Sequence, residues 1–533
     1  MNVPHPIKLT IQSGSACHRL AVAAGTSVRD ALDSTDLRVR AACGGSGSCG
    51  ACVVRLLGGE VNPHTTSEYQ KLTAEEREQG LRLACQLRIK GDAEIRLDDP
   101  APPSRWKSIP AENLAPVTGR IEELERHIYG VAVDLGTTHI RVALWDRKRG
   151  RRIATRRGLN PQEVFGADVL NRLDAALARP ERAREISRLA SDAIVQAVRD
   201  ILARDVGEVT PMLAEIGHVM VVGNTAMLAL LTGHGINALL APDNWQRAID
   251  CRPSDAAAWI TQWPMAHAEI TLPAPVAGFI GSDAVAAVIA THLADDPPGS
   301  MLLDVGTNTE IALWDGQRLH LTSVPGGPAF EGVGIRHGMS AETGAISGVT
   351  CHGAAGGFAC EVIGGGAARG FCGSGLNDAV AVLLEAGIVK PSGRFALSPG
   401  AEGYALLPGN PHSAITGADV DAFQRAKAAT AAAMETLLDI AGMGWRDIRR
   451  LCVCGAFGRH LHIGHAQAVG LLPAIANIEL YADAALAGCE QALLARDGEQ
   501  QFFQVTNAAE PVNLSYTEGY EDRYIDHLRL KPI

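Results

Sequence analysis

The sequence predicts a multidomain protein, α+β in its first hundred residues and α/β beyond them. Three observations lead there. Four cysteines are gathered in a short β-rich segment. A strand–turn–strand motif opening at Asp134 recurs at Asp304. A proline-rich stretch separates the cysteines from the first copy of that motif.

Cys43, Cys49 and Cys52 stand in one glycine-rich loop, AACGGSGSCGACVV, spaced C-x5-C-x2-C, and Cys85 stands alone in LRLACQLRI. Three ligands from a loop and one from a distant strand is the spacing with which a small β-rich domain wraps a [2Fe–2S] cluster. The glycines at 44, 45, 47 and 50 let the backbone bend close, so that N–H groups can point at the sulfurs and stabilise the reduced, more negative state. A four-cysteine zinc site usually shows two C-x2–4-C pairs, and this chain has one. Around the cysteines, IKLTIQ and ACHRLAVAAG read as a hairpin and SVRDALDSTD as a helix with a serine start signal. VVRLLGGEVN reads as a strand and turn, and AEIRLDD closes the sheet. Residues 1–98 thus resemble the [2Fe–2S] ferredoxins with five residues between the first two ligands, and the resemblance implies a β-grasp fold. Twelve Lys/Arg balance twelve Asp/Glu in residues 1–100. Such a neutral module gains little from electrostatic steering to a basic partner.

DDPAPPSRWKSIPAENLAP follows, within a linker read as 99–127. Proline at this density favours extended chain, and about 22 residues at about 3.1 Å each span on the order of 70 Å. Two readings stand: a spacer lying flat on its neighbours, or a tether that lets the cluster visit a donor and an acceptor. The tether is preferred, because an electron carrier needs two encounters.

Beyond the linker lies the duplication. DLGTTHIRVALWD starts at Asp134 and DVGTNTEIALWD at Asp304, each preceded by a short apolar strand and followed by a polar turn and a third strand. The two halves are read as 128–297 and 298–533. Asp134 and Asp304, at strand ends, suit Mg²⁺ held through water. The turns Gly136-Thr137-Thr138 and Gly306-Thr307-Asn308 offer amides and side-chain donors to phosphate oxygens. Two such hairpins face to face would grip a nucleoside triphosphate. Further glycine turns follow: PGGPAFEGVG with Gly326, Gly327 and Glu331; GFCGSGLNDAV with Gly373, Ser374 and Gly375 entering a helix; and LCVCGAFGRHL with Gly455, Ala456 and Gly458 after a buried strand. Strand, glycine turn and helix start is where a backbone closely approaches a nucleotide.

These motifs together resemble the actin-like ATPase superfamily, whose members include sugar kinases. The resemblance implies a duplicated RNase H-like fold, with two phosphate motifs and GAFG as the adenosine motif. A ferredoxin fused to such an ATPase, with NPQEVFGADVLNRL, VVGNTAMLALLTG, GGPAFEG and GFCGSGLNDAV, resembles the ATP-dependent reductive activators of corrinoid proteins. That resemblance implies one-electron reduction of a partner's inactive Co(II) corrinoid to Co(I). The expected partners are a corrinoid protein or corrinoid-dependent methyltransferase and an upstream electron donor. The expected cofactors are a [2Fe–2S] cluster, ATP and Mg²⁺. Two other classes fit the motifs: a redox-regulated small-molecule kinase, and an activator of another low-potential enzyme.

Composition narrows the rest. A net charge of −11 argues against nucleic acid. There is neither a leader-like start nor an 18-residue apolar run, so no membrane span is expected. Twelve cysteines in 533 residues are too sparse for a disulfide scaffold, and a thiolate-bound cluster fits a reducing cytoplasm. The oligomeric state stays open, a homodimer included. Cys452 and Cys454 share one face of an apolar strand and read as core; Cys372 reads as packing at its glycine turn. His460, His462 and His465 read as a polar loop at the cleft edge, with a metal site as the alternative. Asp283 reads as a helix-start charge, or as a group ordering water in the cleft.

Overall fold

The computed structural model describes residues 7–533 apart from 42, 46, 110–113, 116, 118–128, 167, 203–209, 266, 307, 325–327, 333, 353–356, 456, 458 and 459. Of the candidate site residues, Thr307, Gly326, Gly327, Ala456 and Gly458 lie outside the described residues.

The first domain is a five-stranded sheet in the order β2-β1-β5-β3-β4. Its strands are β1 (Ile7–Ser13), β2 (Ala16–Val22), β3 (Val53–Val61), β4 (Leu81–Leu83) and β5 (Ile89–Arg96). β1 and β2 form the expected hairpin, and β1 runs parallel to β5. The helix Val28–Asp33 starts at Ser27, whose hydroxyl accepts from the Asp30 amide, and its Val28 and Leu32 join Leu9, Ile11, Leu83 and Ile95 in the core. Cys85 does not sit in a strand. It lies in the turn after β4, where bending, rather than sheet pairing, turns its sulfur toward the loop.

The body carries two sheets with one plan. In the first, β6 (Tyr129–Leu135), β7 (His139–Asp146) and β8 (Arg151–Leu159) form a meander, flanked by β9 (Ile216–Gly223) and β10 (Glu269–Thr271) in the order β10-β9-β6-β7-β8. In the second, β11 (Ser300–Val305), β12 (Thr309–Trp314) and β13 (Leu319–Val324) form the meander. β14 (Ala345–His352), β15 (Gly357–Val362) and β16 (Gly370–Phe371) make a separate small sheet, and β17 (Tyr404–Ala405) pairs with β18 (Ala414–Ile415). β19 (Arg450–Gly455), β20 (Ile478–Leu480) and β21 (Ala509–Pro511) complete the order β20-β19-β11-β12-β13-β21. In both sheets the central strand pairs parallel with one neighbour and antiparallel with the next. The duplication seen in the motifs is therefore a duplication of topology.

Side chains from both sheets meet in one apolar layer. Ala132, Met220 and Val222 from the first and Leu302, Cys452 and Cys454 from the second pack around the helices Ser282–Thr291 and Ala484–Leu494. Cys452 and Cys454 are fully buried core residues, as their alternation suggested. Gly488 allows the two helices to touch, since a Cβ there would lie 1.8 Å from the Ala286 carbonyl oxygen.

The proline-rich segment is not a free tether over its described length. Residues 100–109 are strapped to both neighbours. Ala101 N donates to Arg38 O at 2.7 Å on the first domain, and Lys107 and Arg157 exchange backbone hydrogen bonds of 2.8 and 2.7 Å on the body. Trp106, 2% exposed, packs in the body's core against Gly158, where any Cβ would meet its ring at 2.5 Å. Proline density disfavours helix, yet extended chain can still pair as an edge. Burying Trp106 and Ile109 at about 1.5–3 kcal/mol each then holds it down.

Beneath the strap, the first domain is docked on the C-terminal end of the helix Pro180–Leu202. Arg38 and Arg156 both reach Asp200, Arg156 also reaches Asp33 at 2.9 Å, and Gly44 N donates to Leu202 O at 2.8 Å. Arg38, Arg156 and Asp33 are all but inaccessible to solvent. Such charges tolerate burial only when paired and hydrogen-bonded.

Candidate functional site

Two sites emerge, one on each part of the chain. In the cysteine loop, Cys43, Cys52 and Cys85 are buried and Cys49 is partly open. Gly44, Gly45, Gly47 and Gly50 all have φ between 61° and 94°, the left-handed region that lets the loop curl around the sulfurs. Ala51 N donates to Cys49 Sγ at 3.4 Å, and Gln86 Nε2 donates to Cys85 Sγ at 3.4 Å and to Gly45 O at 3.2 Å. The Arg29 guanidinium lies beside the loop: a Cβ on Gly45 would fall 2.6 Å from its Nη1. Four soft sulfurs, donors aimed at sulfur and an adjacent buried cation suit an anionic iron–sulfur group.

The second site is the cleft between the two sheets. Asp134 and Asp304 are each the penultimate residue of their strands, β6 and β11, and their turns line one cavity. Gly136, Thr137, Thr138, Gly306, Asn308, Glu331, Asp283 and Gly455 line the same cavity. A Cβ on Gly455 would lie 2.5 Å from Asp304 Oδ1 and 2.1 Å from Val305 O, so only glycine permits this approach. Thr138 Oγ1 donates to Glu331 Oε2 at 3.4 Å, closing the cleft across the halves. Gly373, Ser374 and Gly375 are buried at the start of the helix Gly373–Glu385 and do not line the cavity; Cys372 there donates to Ile346 O. The cavity holds about 110 Å³. Ligand pockets run to roughly 300–1,000 Å³, so a nucleotide requires the halves to part.

The two hairpins differ where they meet the cavity. Asp134 pairs across its hairpin with Arg141, Asp304 with Glu310. Arg141 Nη1 lies 3.0 Å from Asp134 Oδ2, and its Nε lies 2.9 Å from Asp483 Oδ1 at the start of the helix Ala484–Leu494. Burial raises Asp134, which Arg141 partly offsets. Burial and then the Asp134 charge push Asp283 and Asp304 up to about 7. Burial, then Asp283 and Asp304, hold Glu310 well above the carboxylate range. Carboxylates crowded this closely raise one another until a cation joins them, and hard oxygen donors around one cavity are the donor set of Mg²⁺.

Sequence reasoning missed Arg141, Glu310, Asp483 and Asn224, which also line this cavity. The first two were readable as cross-strand partners of the aspartates. Asp483 has no local motif, because it joins the site from a distant helix start. The histidine loop divides: His465 Nδ1 lies 2.9 Å from Asp378 Oδ1, and His462 stacks on His465 at 3.9 Å between ring centroids. Ligand atoms of Asp378, His462 and His465 fall within 4.8 Å of one another. However, His462 Nδ1 already accepts the His465 amide at 3.1 Å as a helix cap, which favours the polar-loop reading over a metal site.

Comparison with known proteins accounts for this layout. Residues 13–90 match the 2Fe-2S iron-sulfur cluster binding domain, 129–296 the RACo middle region, and 299–532 the C-terminal domain of RACo, the ASKHA domain. The chain belongs to the family of reductive activators of corrinoid proteins. Corrinoid activation enzyme RamQ of Eubacterium limosum is 30% identical over 67% of this chain and 62% of its own length, so the match spans somewhat under two thirds of that relative. The [Co(II) methylated amine-specific corrinoid protein] reductase of Methanosarcina barkeri is 26% identical over 75% of this chain and 77% of its own. A solved reductive activator for corrinoid, iron-sulfur protein shares the fold, with a TM-score of 0.65 at 24% identity over 98% of both chains. Among the described residues no helix is long and apolar enough to cross a membrane.

Proposed function

We propose that this chain carries out ATP-dependent, one-electron reduction of the Co(II) corrinoid of a partner protein to Co(I). The observation that carries the reading is the pairing, within one chain of this family, of a four-cysteine loop with an acid-lined cleft between duplicated hairpins. Cys43, Cys49, Cys52 and Cys85 hold the cluster. A [2Fe–2S] centre bound there supplies a single electron at low potential, plant-type centres lying near about −400 mV. Gln86, Ala51 and Arg29 orient the loop and place positive charge and donors around the sulfurs.

In the cleft, Asp134 and Asp304 hold Mg²⁺, and Thr137, Thr138, Thr307 and Asn308 donate to the phosphate oxygens of ATP. Gly136 and Gly306 leave room for the phosphates, with Glu331 at the cleft wall. Gly455 lines the cavity on the side proposed for the nucleoside, while Gly373, Ser374 and Gly375 lie buried at a helix start outside it. Arg141 supplies positive charge that a metal-bound triphosphate would compete for, so nucleotide binding exchanges the Arg141–Asp134 pair for new partners. Because the closed cavity is small, that exchange accompanies opening of the halves. The upstream reductant is a one-electron donor of lower potential, and the setting is cytoplasmic.

The test is ATP hydrolysis by the intact chain under anaerobic conditions, with dithionite as the electron donor, with and without a Co(II) corrinoid protein. Stimulation by that protein, with the cobalt absorption bands moving to those of Co(I), is the expected result. Phosphorylation of a soluble small molecule, with no response to corrinoid protein, would reject the reading in favour of a kinase.

A further inference from the structure

We propose that Arg29 is the positioning residue through which the body sets the potential of the iron–sulfur site. The inference rests on the reading that the four cysteines hold a cluster. Arg29 lies on the helix Val28–Asp33 and is 2% exposed. Three different parts of the molecule surround it. Its Nη2 donates to Ile201 O at 2.6 Å, in the last turn of the body's helix Pro180–Leu202. Its Nε lies 3.6 Å from Asp33, which is tied in turn to Arg156 of the body. Its Nη1 abuts Gly45 of the cysteine loop, where a Cβ would lie 2.6 Å from it. Burial opposes its charge, but Asp33, Asp30 and the Cys52 and Cys85 sulfurs more than restore it.

The charge at this junction is unbalanced. Among the described residues three arginines, Arg29, Arg38 and Arg156, form ion pairs with only two aspartates, Asp33 and Asp200; Asp30, half-buried and held by Ser27, acts on Arg29 from beyond ion-pair distance. The Nε atoms of Arg29 and Arg38 are buried without a hydrogen-bond acceptor. A surplus cation in a dry junction is costly unless an anion stands nearby. A cluster that gains one electron gains one negative charge, so a guanidinium held against its loop favours the reduced form. What holds the guanidinium there is a body carbonyl at a helix C-terminus, where the macrodipole favours a cation.

Position and potential are therefore linked. With the first domain docked, Arg29 stabilises the extra electron. When that domain leaves the helix end, Arg29 loses Ile201 O and gains water, and the same electron is released to an acceptor more readily. Any ligand that separates the two parts makes the cluster a stronger one-electron reductant.

The experiment is an anaerobic redox titration of the full chain with dithionite as electron donor, following the electron paramagnetic resonance signal of the reduced cluster. Arg29→Gln should lower the reduction equilibrium constant about tenfold, a midpoint shift of about 59 mV to lower potential. Arg29→Lys keeps the charge without the fork and should shift less in the same direction. If Arg29→Gln fails to hold a cluster, the Lys variant decides. Trp106→Ala loosens the strap without changing charge and should also lower the midpoint, with faster hydrogen exchange at the Lys107–Arg157 pairing. An unchanged midpoint in Arg29→Gln or, failing that, in Arg29→Lys overturns the inference. So does a loosened Trp106→Ala protein whose midpoint stays put. A wild-type chain with no reduced-cluster signal overturns the cluster reading itself.

Discussion

The chain buries two clusters of charge, and they are unbalanced in opposite senses. At the junction of the first domain with the body, three arginines meet two aspartates. In the cleft, Asp134, Asp283, Asp304, Glu310, Glu331 and Asp483 surround Arg141. Hydrophobic burial built both places, yet neither is neutral by itself. The surplus of each is opposite in sign to the group that its neighbours suit: an anionic iron–sulfur centre beside the arginines, a divalent cation among the carboxylates. The difference teaches how to read buried charge. A balanced pair is architecture, whereas a surplus points to a cofactor.

The comparison breaks most completely where a cofactor's own ligands are removed. Cys85→Ser should abolish or badly disturb the electron paramagnetic resonance signal of the reduced cluster while leaving ATP hydrolysis in place. A full signal, or zinc at one per chain without iron in protein prepared anaerobically, would refute the cysteine assignment. On the acidic side, Asp134→Ala and Asp304→Ala should each lower ATP hydrolysis about 100-fold, the equivalent of about 3 kcal/mol of lost metal and phosphate stabilisation. Circular dichroism should show the fold kept. Full hydrolysis by the double variant would remove the duplicated hairpins from the mechanism.

At the junction, Arg156→Ala removes the ion pairs that tie Asp33 of the first domain and Asp200 of the body to one shared guanidinium. Breaking a buried pair costs about 3–5 kcal/mol, so the first domain should detach before the body melts. Limited proteolysis within 100–109 reads this directly, and resistance equal to wild type would contradict the docked arrangement. Separating the chain near residue 110 would likewise expose this junction, so the two pieces should not behave as independently stable units.

The smallest effect is a pH dependence. Burial and then the Asp134 charge push Asp283 and Asp304 up to about 7, above the ordinary 3.8. A carboxyl whose folded pKa is raised contributes stability that is fully present below pH about 4 and lost as pH rises through about 7. The melting temperature should therefore fall over that window, and Asp304→Asn should flatten the fall. Mg²⁺ with nucleotide should stabilise the protein more at pH 8 than at pH 6. A wild-type profile identical to that of Asp304→Asn would show that Asp304 titrates normally.

Much of this was legible in the sequence. The cysteine spacing, the hairpin around β1 and β2, and the repeat at Asp134 and Asp304 are local patterns, and local patterns survive without knowledge of the fold. The tether reading went the other way over residues 100–109, the part of the segment whose contacts are described. Proline content announced extended chain, but whether an extended chain floats or pairs depends on Trp106 finding Gly158 in another element. Cys85 stands in a turn because β4 is only three residues long, a length its apolar neighbours conceal. Asp483 and Arg29 stayed silent for the same reason as the strap: their partners, Arg141 and Ile201, lie far along the chain, the second 172 positions away. Arg141 and Glu310 were readable as cross-strand partners, but only after allowing for a first hairpin turn one residue longer than the second.

The measurement that reaches the central claim most directly is anaerobic reduction of a Co(II) corrinoid protein by the intact chain, with dithionite as donor, followed at the cobalt absorption bands. Co(I) should form only with MgATP present, and both Cys85→Ser and Asp304→Ala should abolish its formation while each variant keeps the other half's activity. Co(I) formed at the full rate without ATP, or by the Cys85→Ser chain, would contradict it.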